Sequence, residues 1–241
     1  REIARRAHRV PRRYAYFDTL SAANLPQPCK DGRSHDVVTW YSRWEGRLQP
    51  LDALCHGVRD VAPSVAGTTP VEYAENATPA LSGASGLLRF TSWLFKAANR
   101  ATYDALRGRW WHALLLAEAA KAKAVQLCDP RLLAAEYLFY YSGTVYRPMW
   151  TYEAEVLGSG IFCYFYSTFE QVKLPEGYES QRYEWGAASW PNYLVWDDYQ
   201  ADVIRRDIDR DVAISVVGPI WFSASSADLP EFPEKSIAVF D

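Results

Sequence analysis

Residues 132–168 read LLAAEYLFYYSGTVYRPMWTYEAEVLGSGIFCYFYST, and this stretch decides the fold of the 241-residue chain. Two runs within it, 137–141 and 161–166, are apolar on both faces. A strand with one face in water would alternate apolar and polar residues, so these two read as buried parallel strands. Pro148 suits the first turn of a helix between them, and Gly158 and Gly160 suit its end. Strand, crossover helix and strand make a βαβ unit. In open parallel sheets, ligands bind beyond the carboxyl ends of the strands. That edge carries Ser142-Gly143-Thr144, Tyr146, Arg147 and Ser167-Thr168.

Downstream, 170–189 is a polar insertion, and YLVW at 193–196 is a further strand. Asp197 caps a helix over 198–206, its carboxylate placed for the free N–H groups of the first turn. AISVV at 213–217 follows as a strand, then a Pro- and Ser-bearing linker, then SIAVF at 236–240 as the opening of another strand. Upstream, DVVTWYSRW predicts a strand over 37–42 that ends at Glu45-Gly46-Arg47. A second short strand over 51–54 ends at Cys55-His56-Gly57. Residues 58–84 are loop-like and long for a structureless connection; they form a mobile active-site loop or hold a short helix. Helices follow over 87–106 and 110–126, with Gly108 marking either an αα-hairpin or a kink. In the first, Leu87, Phe90, Leu94 and Ala98 share a face with Trp93 and Ala97 alongside, a stripe that reads as core.

The expected fold is α/β: a Rossmann-like, mostly parallel sheet with helices on both faces. The expected organisation is a basic arm and loop over 1–36, the sheet domain over 37–219, and 220–241 as linker and first strand of a second domain. Six of the first 13 residues are Arg. They read as a solvated face, or as an electrostatic foothold on anionic lipid.

A hydrophobic share of 49% supports a sizeable core, and a charged share of 23% argues against disorder. A net charge of −3 gives no attraction to nucleic acid as a whole, and no such partner is expected. Ten Trp, sixteen Tyr and ten Phe read first as core, second as rings for stacking on sugars or bases. The cysteines at 29, 55, 128 and 163 show neither CxxC nor metal-ligand spacing. They fit a reducing cytosol, Cys163 as a small buried hydrophobe. No apolar run reaches the length of a membrane span. The expected place is the cytoplasm, peripheral at the inner membrane where the arm engages lipid.

P-loop, GxSxG, HExxH and GxGxxG motifs are all missing from the sequence. What remains is a set of polar groups at strand ends. Glu45 and His56 are placed to act as general base toward a hydroxyl. Arg147 could hold a carboxylate or phosphate in two-pronged fashion, or pair with Glu153 or Glu155. Ser142, Tyr146, Glu153 and Ser167 complete the candidate substrate-binding set. No metal site is read.

The run YRPMWTYEAEVLGSGIFCYFYST, with WPNYLVWDDYQADVI, ISVVGPIWFS and SIAVFD, resembles bacterial surface-polysaccharide biosynthesis proteins. The likeness is to O-antigen or capsule glycosyltransferases of the GT-B kind, over about 132–241, and more weakly around DVVTWYSRW and LCHGV. It implies an N-terminal, acceptor-binding half that works with a C-terminal half holding a nucleotide-sugar. It also implies transfer to a glycan or lipid-linked glycan without an obligatory metal or other cofactor. SIAVFD would open the donor half, the chain alone being inactive. Glu45 ranks ahead of His56 as base, because it follows the more convincing strand. A non-catalytic glycan- or partner-binding domain on the same fold is the alternative.

Overall fold

The computed structural model describes residues 13–26, 36–47, 49–81, 83–141, 146–165, 189–208 and 211–220. Its frame is an eight-stranded sheet: β1 Tyr14–Asp18, β2 Ala53–His56, β3 Ser64–Ala66, β4 Thr69–Tyr73, β5 Glu136–Tyr141, β6 Gly160–Phe165, β7 Asn192–Val195 and β8 Ala213–Val216. The spatial order is β3-β4-β2-β1-β5-β6-β7-β8. Every pairing is parallel except the β3–β4 hairpin at one edge. The helices are α1 Val37–Arg43, α2 Ala84–Leu106, α3 Trp111–Leu114, α4 Leu116–Leu127, α5 Trp150–Val156 and α6 Asp198–Asp207.

The expected fold class holds, and its centre is the β5-α5-β6 unit. Tyr137, Leu138, Phe139, Ile161, Cys163 and Tyr164 are all buried, as strands covered on both faces must be. Side chains of successive strand residues go to opposite faces. On one face Tyr16, Tyr137, Phe139 and Cys163 meet Val125 of α4, Trp150 and Ala154 of α5 and Ile204 of α6. On the other, Phe17, Leu54, Leu138 and Tyr164 meet Val37, Val38 and Tyr41 of α1. Asp197 caps α6 as expected, accepting from the Gln200 N–H at 2.9 Å. Cys55, Cys128 and Cys163 are free thiols, all buried.

Three expectations are corrected. Residues 37–43 are a helix, not a strand. The Asp36 carboxylate accepts from Thr39 N at 2.7 Å and from Thr39 Oγ1 at 2.8 Å, closing the first turn. Val37, Val38 and Tyr41 then fall on one buried face. Tertiary burial of that face overrides the strand preference of a Val-Val-Thr-Trp-Tyr run. Residues 58–84 hold the β3–β4 hairpin, turned at Gly67 with φ +64°, where a left-handed backbone suits glycine. Finally, Tyr14–Asp18 supplies the central strand, so the sheet domain begins before residue 37. The strand expected over 51–54 sits two residues later, as β2. The strand at 236–240 and all of the 170–189 insertion except Ser189 lie outside the described residues.

Candidate functional site

In chain order β1, β2 and β4 step to one side, and β5, β6, β7 and β8 then continue from the other side of β1. The order therefore reverses between β1 and β5. Crevices at such reversals, beyond the carboxyl strand ends, are where open α/β sheets take ligands. The residue that ends β1 there is Asp18.

Asp18 is half-buried. Burial raises the pKa of its carboxyl, opposed by the Thr19 N–H and, at longer range, by the Lys121 ammonium on α4. A carboxylate that is partly desolvated at a strand end is suited to accept a proton. Around it the backbone is unusual. Thr19 adopts φ +62°, uncommon for a β-branched residue. Its Oγ1 lies 2.6 Å from the Asp18 carbonyl and 3.2 Å from that of Tyr140 on β5, within donating distance of either. The Ser21 N–H and hydroxyl both donate to Asn24 Oδ1, at 3.1 and 2.7 Å. Buried Asn24 reaches the Tyr140 hydroxyl at 3.5 Å. Tyr140 stacks on Tyr164, ring centres 5.7 Å apart, and the Tyr164 hydroxyl accepts from Trp196 Nε1 at 2.9 Å. On the α4 side, Lys121 pairs with Glu118 at 3.0 Å, and the Tyr146 hydroxyl lies 3.4 Å from the same carboxylate.

His56 does end a strand at this edge, one strand over, with Phe17 of β1 as its register partner. It is buried, its Nδ1 accepts from Val58 N at 3.2 Å, and burial lowers its pKa, which keeps it neutral. Alternation along the strands assigns Asp18 to the face of Tyr16, and His56 to that of Leu54. The two groups therefore serve opposite faces of the sheet rather than one proton.

Glu45 stands elsewhere. It lies in the exposed turn after α1, next to Arg47, whose Nε is 3.8 Å from Glu136 at the start of β5. This is the amino edge of the sheet, and the position at a strand end that singled Glu45 out does not hold. Arg147 is buried and engaged on all sides. It donates to Thr151 Oγ1 at 2.8 Å, to Ser189 O at 3.0 Å and to Thr151 O at 3.2 Å, and it pairs with Glu155. Its guanidinium also rests 3.9 Å from the Tyr152 ring centre. Arg147 thus staples α5 to the approach of β7. Tyr146 is exposed beside α4, and Glu153 is half-buried on α5. Ser142 and Ser167 lie outside the described residues. Among the described residues no group of three His, Cys, Asp or Glu could hold a metal ion.

Asp18 is not among the residues expected from the sequence, because Tyr14–Asp18 is not expected to be a strand. The signal was present: an apolar YAYF run, then Asp-Thr, then a Ser21…Asn24 turn pair. The model of a family described as "Polysaccharide biosynthesis PFTS motif protein" matches residues 93–241, more than half of the chain. No curated protein and no solved structure matches significantly.

Proposed function

We propose, for a chain that belongs to the polysaccharide biosynthesis PFTS motif family, that the carboxyl edge at β1 and β5 binds the acceptor of a glycosyl transfer. The family places the protein in glycan biosynthesis; the transfer of sugar, its GT-B organisation and the acceptor are our reading. One observation carries it: a partly desolvated carboxylate, Asp18, at the point where the order of the sheet reverses.

The donor is a nucleotide-sugar, held by a second domain as in GT-B enzymes, and the acceptor is a glycan or lipid-linked glycan. A sugar hydroxyl is a poor nucleophile. Asp18 removes its proton as the oxygen attacks the anomeric carbon, and the bond from that carbon to the nucleotide phosphate breaks. The phosphate leaves with the electron pair, and configuration inverts. A raised pKa makes Asp18 a stronger base than an ordinary aspartate. Lys121 on α4 stands on the same face as Asp18, while Asn24, Tyr140 and Trp196 line the opposite face of the edge.

The test is sugar incorporation by the full-length protein carrying Asp18→Asn. General-base help contributes about 10² to 10⁴ in rate, and kcat should fall by that factor with folding intact. Normal turnover in that variant would move the base elsewhere. Glycan binding with no turnover from any nucleotide-sugar in the unaltered protein would favour a binding module.

A further inference from the structure

The helix α2 is the longest element, and only Ala101 and Asp104 along its 23 residues are buried. The stripe read as core is only half-covered, and Leu87 is exposed. Beyond Gly108 the chain turns back through α3 into α4. Large apolar side chains crowd this turn: Leu106 is 83% exposed, Leu114 68% and Trp110 60%, with Trp111, Leu115 and Tyr103 exposed beside them. Soluble surfaces carry single exposed apolar residues routinely, but a contiguous patch marks an interaction site.

Charge selects the partner. The chain as a whole is net negative, yet residues 84–115 hold Arg89, Lys96, Arg100, Arg107 and Arg109 against a single carboxylate, Asp104. That carboxylate is buried and engaged by Arg100 at 2.9 Å and by His112 Nδ1 at 3.0 Å. The outward charge of the hairpin is therefore positive. Trp, Tyr and Leu flanked by Arg is the mixture favoured at the boundary between headgroups and acyl chains.

The turn is also rigid before any partner arrives. Arg107 N and Arg109 N donate to the Asp104 carbonyl at 3.1 and 2.9 Å, Gly108 takes φ +82°, and the His112–Asp104 contact ties α3 back onto α2. Arg107 packs 4.4 Å from the Tyr103 ring centre. Little ordering entropy is left to lose on docking.

Its position is informative. Gly86 near the start of α2 faces Leu127 at the end of α4, whereas Glu118 and Lys121 in the first half of α4 lie toward Tyr146 and Asp18. The turn is thus on the carboxyl-edge side of the sheet. Twenty-three helical residues span about 34 Å, against about 18 Å for the twelve of α4. The tip therefore stands beyond the edge.

We infer that the α2–α3 hairpin tip, from Leu106 to Leu115, docks the protein on an anionic lipid bilayer by burying Trp110, Trp111 and Leu114 at the interface. No described helix is long and apolar enough to cross a membrane, and this contact lies on the surface. Lipid docking of this kind is independent of whether the chain transfers sugar.

The experiment is co-sedimentation with vesicles of phosphatidylglycerol and phosphatidylcholine, against pure phosphatidylcholine. The unaltered protein should sediment with the anionic vesicles at least tenfold more tightly than with the neutral ones. Trp110→Ser with Trp111→Ser and Leu114→Ser should weaken binding tenfold or more at unchanged circular dichroism. Arg107→Gln with Arg109→Gln, which leaves the apolar tip in place, should weaken it on the order of tenfold and flatten its salt dependence. Val156→Ser, an equally exposed apolar residue on α5, should change nothing. Three outcomes overturn the inference. One is no preference for anionic vesicles, and another is binding that only the Arg-rich residues 1–12 affect. The third is self-association in sedimentation velocity that the tip substitutions abolish, which would make a second copy the occupant.

Discussion

Two carboxylates on adjacent central strands show how differently the ends of this sheet are built. Glu136 opens β5 at the amino edge and is closed in. Tyr41 donates to it at 2.8 Å, and the guanidinium groups of Arg47 and Arg13 stand 3.8 and 3.9 Å away. Asp18 ends β1 at the carboxyl edge, half in water, with its pKa raised by burial. One end is held together by an ion cluster closed around a buried carboxylate, and the other leaves a carboxylate partly accessible. On the proposed reading, the sheet separates stability from chemistry along its strand direction.

Substitution at the two sites should move opposite quantities. Asp18→Asn carries the largest expected effect, the loss of about 10² to 10⁴ in kcat. It should also raise the melting temperature at neutral pH. A carboxyl whose folded pKa lies above its unfolded value binds more protons when folded, so stability falls as pH rises between the two values. Asn removes that cost. A variant that loses activity together with stability would contradict the contrast. Glu136→Gln should do the reverse. Removing one member of a buried ion cluster leaves Arg47 uncompensated and destabilises by about 3 kcal/mol, seen in urea unfolding, with turnover per folded molecule unchanged. Tyr41→Phe keeps the ions and removes a single hydrogen bond to a charged acceptor. It should cost about 1.5 to 3 kcal/mol by the same measurement. His56 sharpens the comparison from the carboxyl edge. Its folded pKa is depressed by burial, so the unfolded state takes up the proton first. Stability should begin to fall as pH drops through about 6.5, its unperturbed value. His56→Asn should lessen that acid sensitivity in pH-dependent thermal melts.

What could be read in the sequence follows from what each segment packs against. Strands β5, β6, β7 and the α6 cap were legible because interior parallel strands leave no polar face, and Asp197 has one obvious use. α1 was misread because its strand-like residues are held helical by Asp36 and by burial against Phe17 and Leu138, contacts distant in sequence. The β3–β4 hairpin was hidden by Pro70 and Gly67, residues that a short outlying hairpin tolerates. At the site, His56 and Arg147 were legible as residues near strand ends, though only the fold shows that Arg147 has no free edge. Asp18 needed the strand order itself, because no local pattern says which strand lies at the reversal.

The three buried thiols give the fold a built-in chronometer. Thiol reagents attack the thiolate, and burial pushes the Cys163 thiol far above its ordinary range and the Cys128 thiol up to about 11. Neither sulfur is modified until the backbone around it opens. Cys163 lies in β6, flanked on both sides by paired strands, and waits for the whole sheet to come apart. Cys128 needs only the end of α4 to fray. With Cys29 replaced by Ser, the order and spacing of the modification times would separate fraying of the helical layer from global unfolding in one unlabelled sample, read by mass.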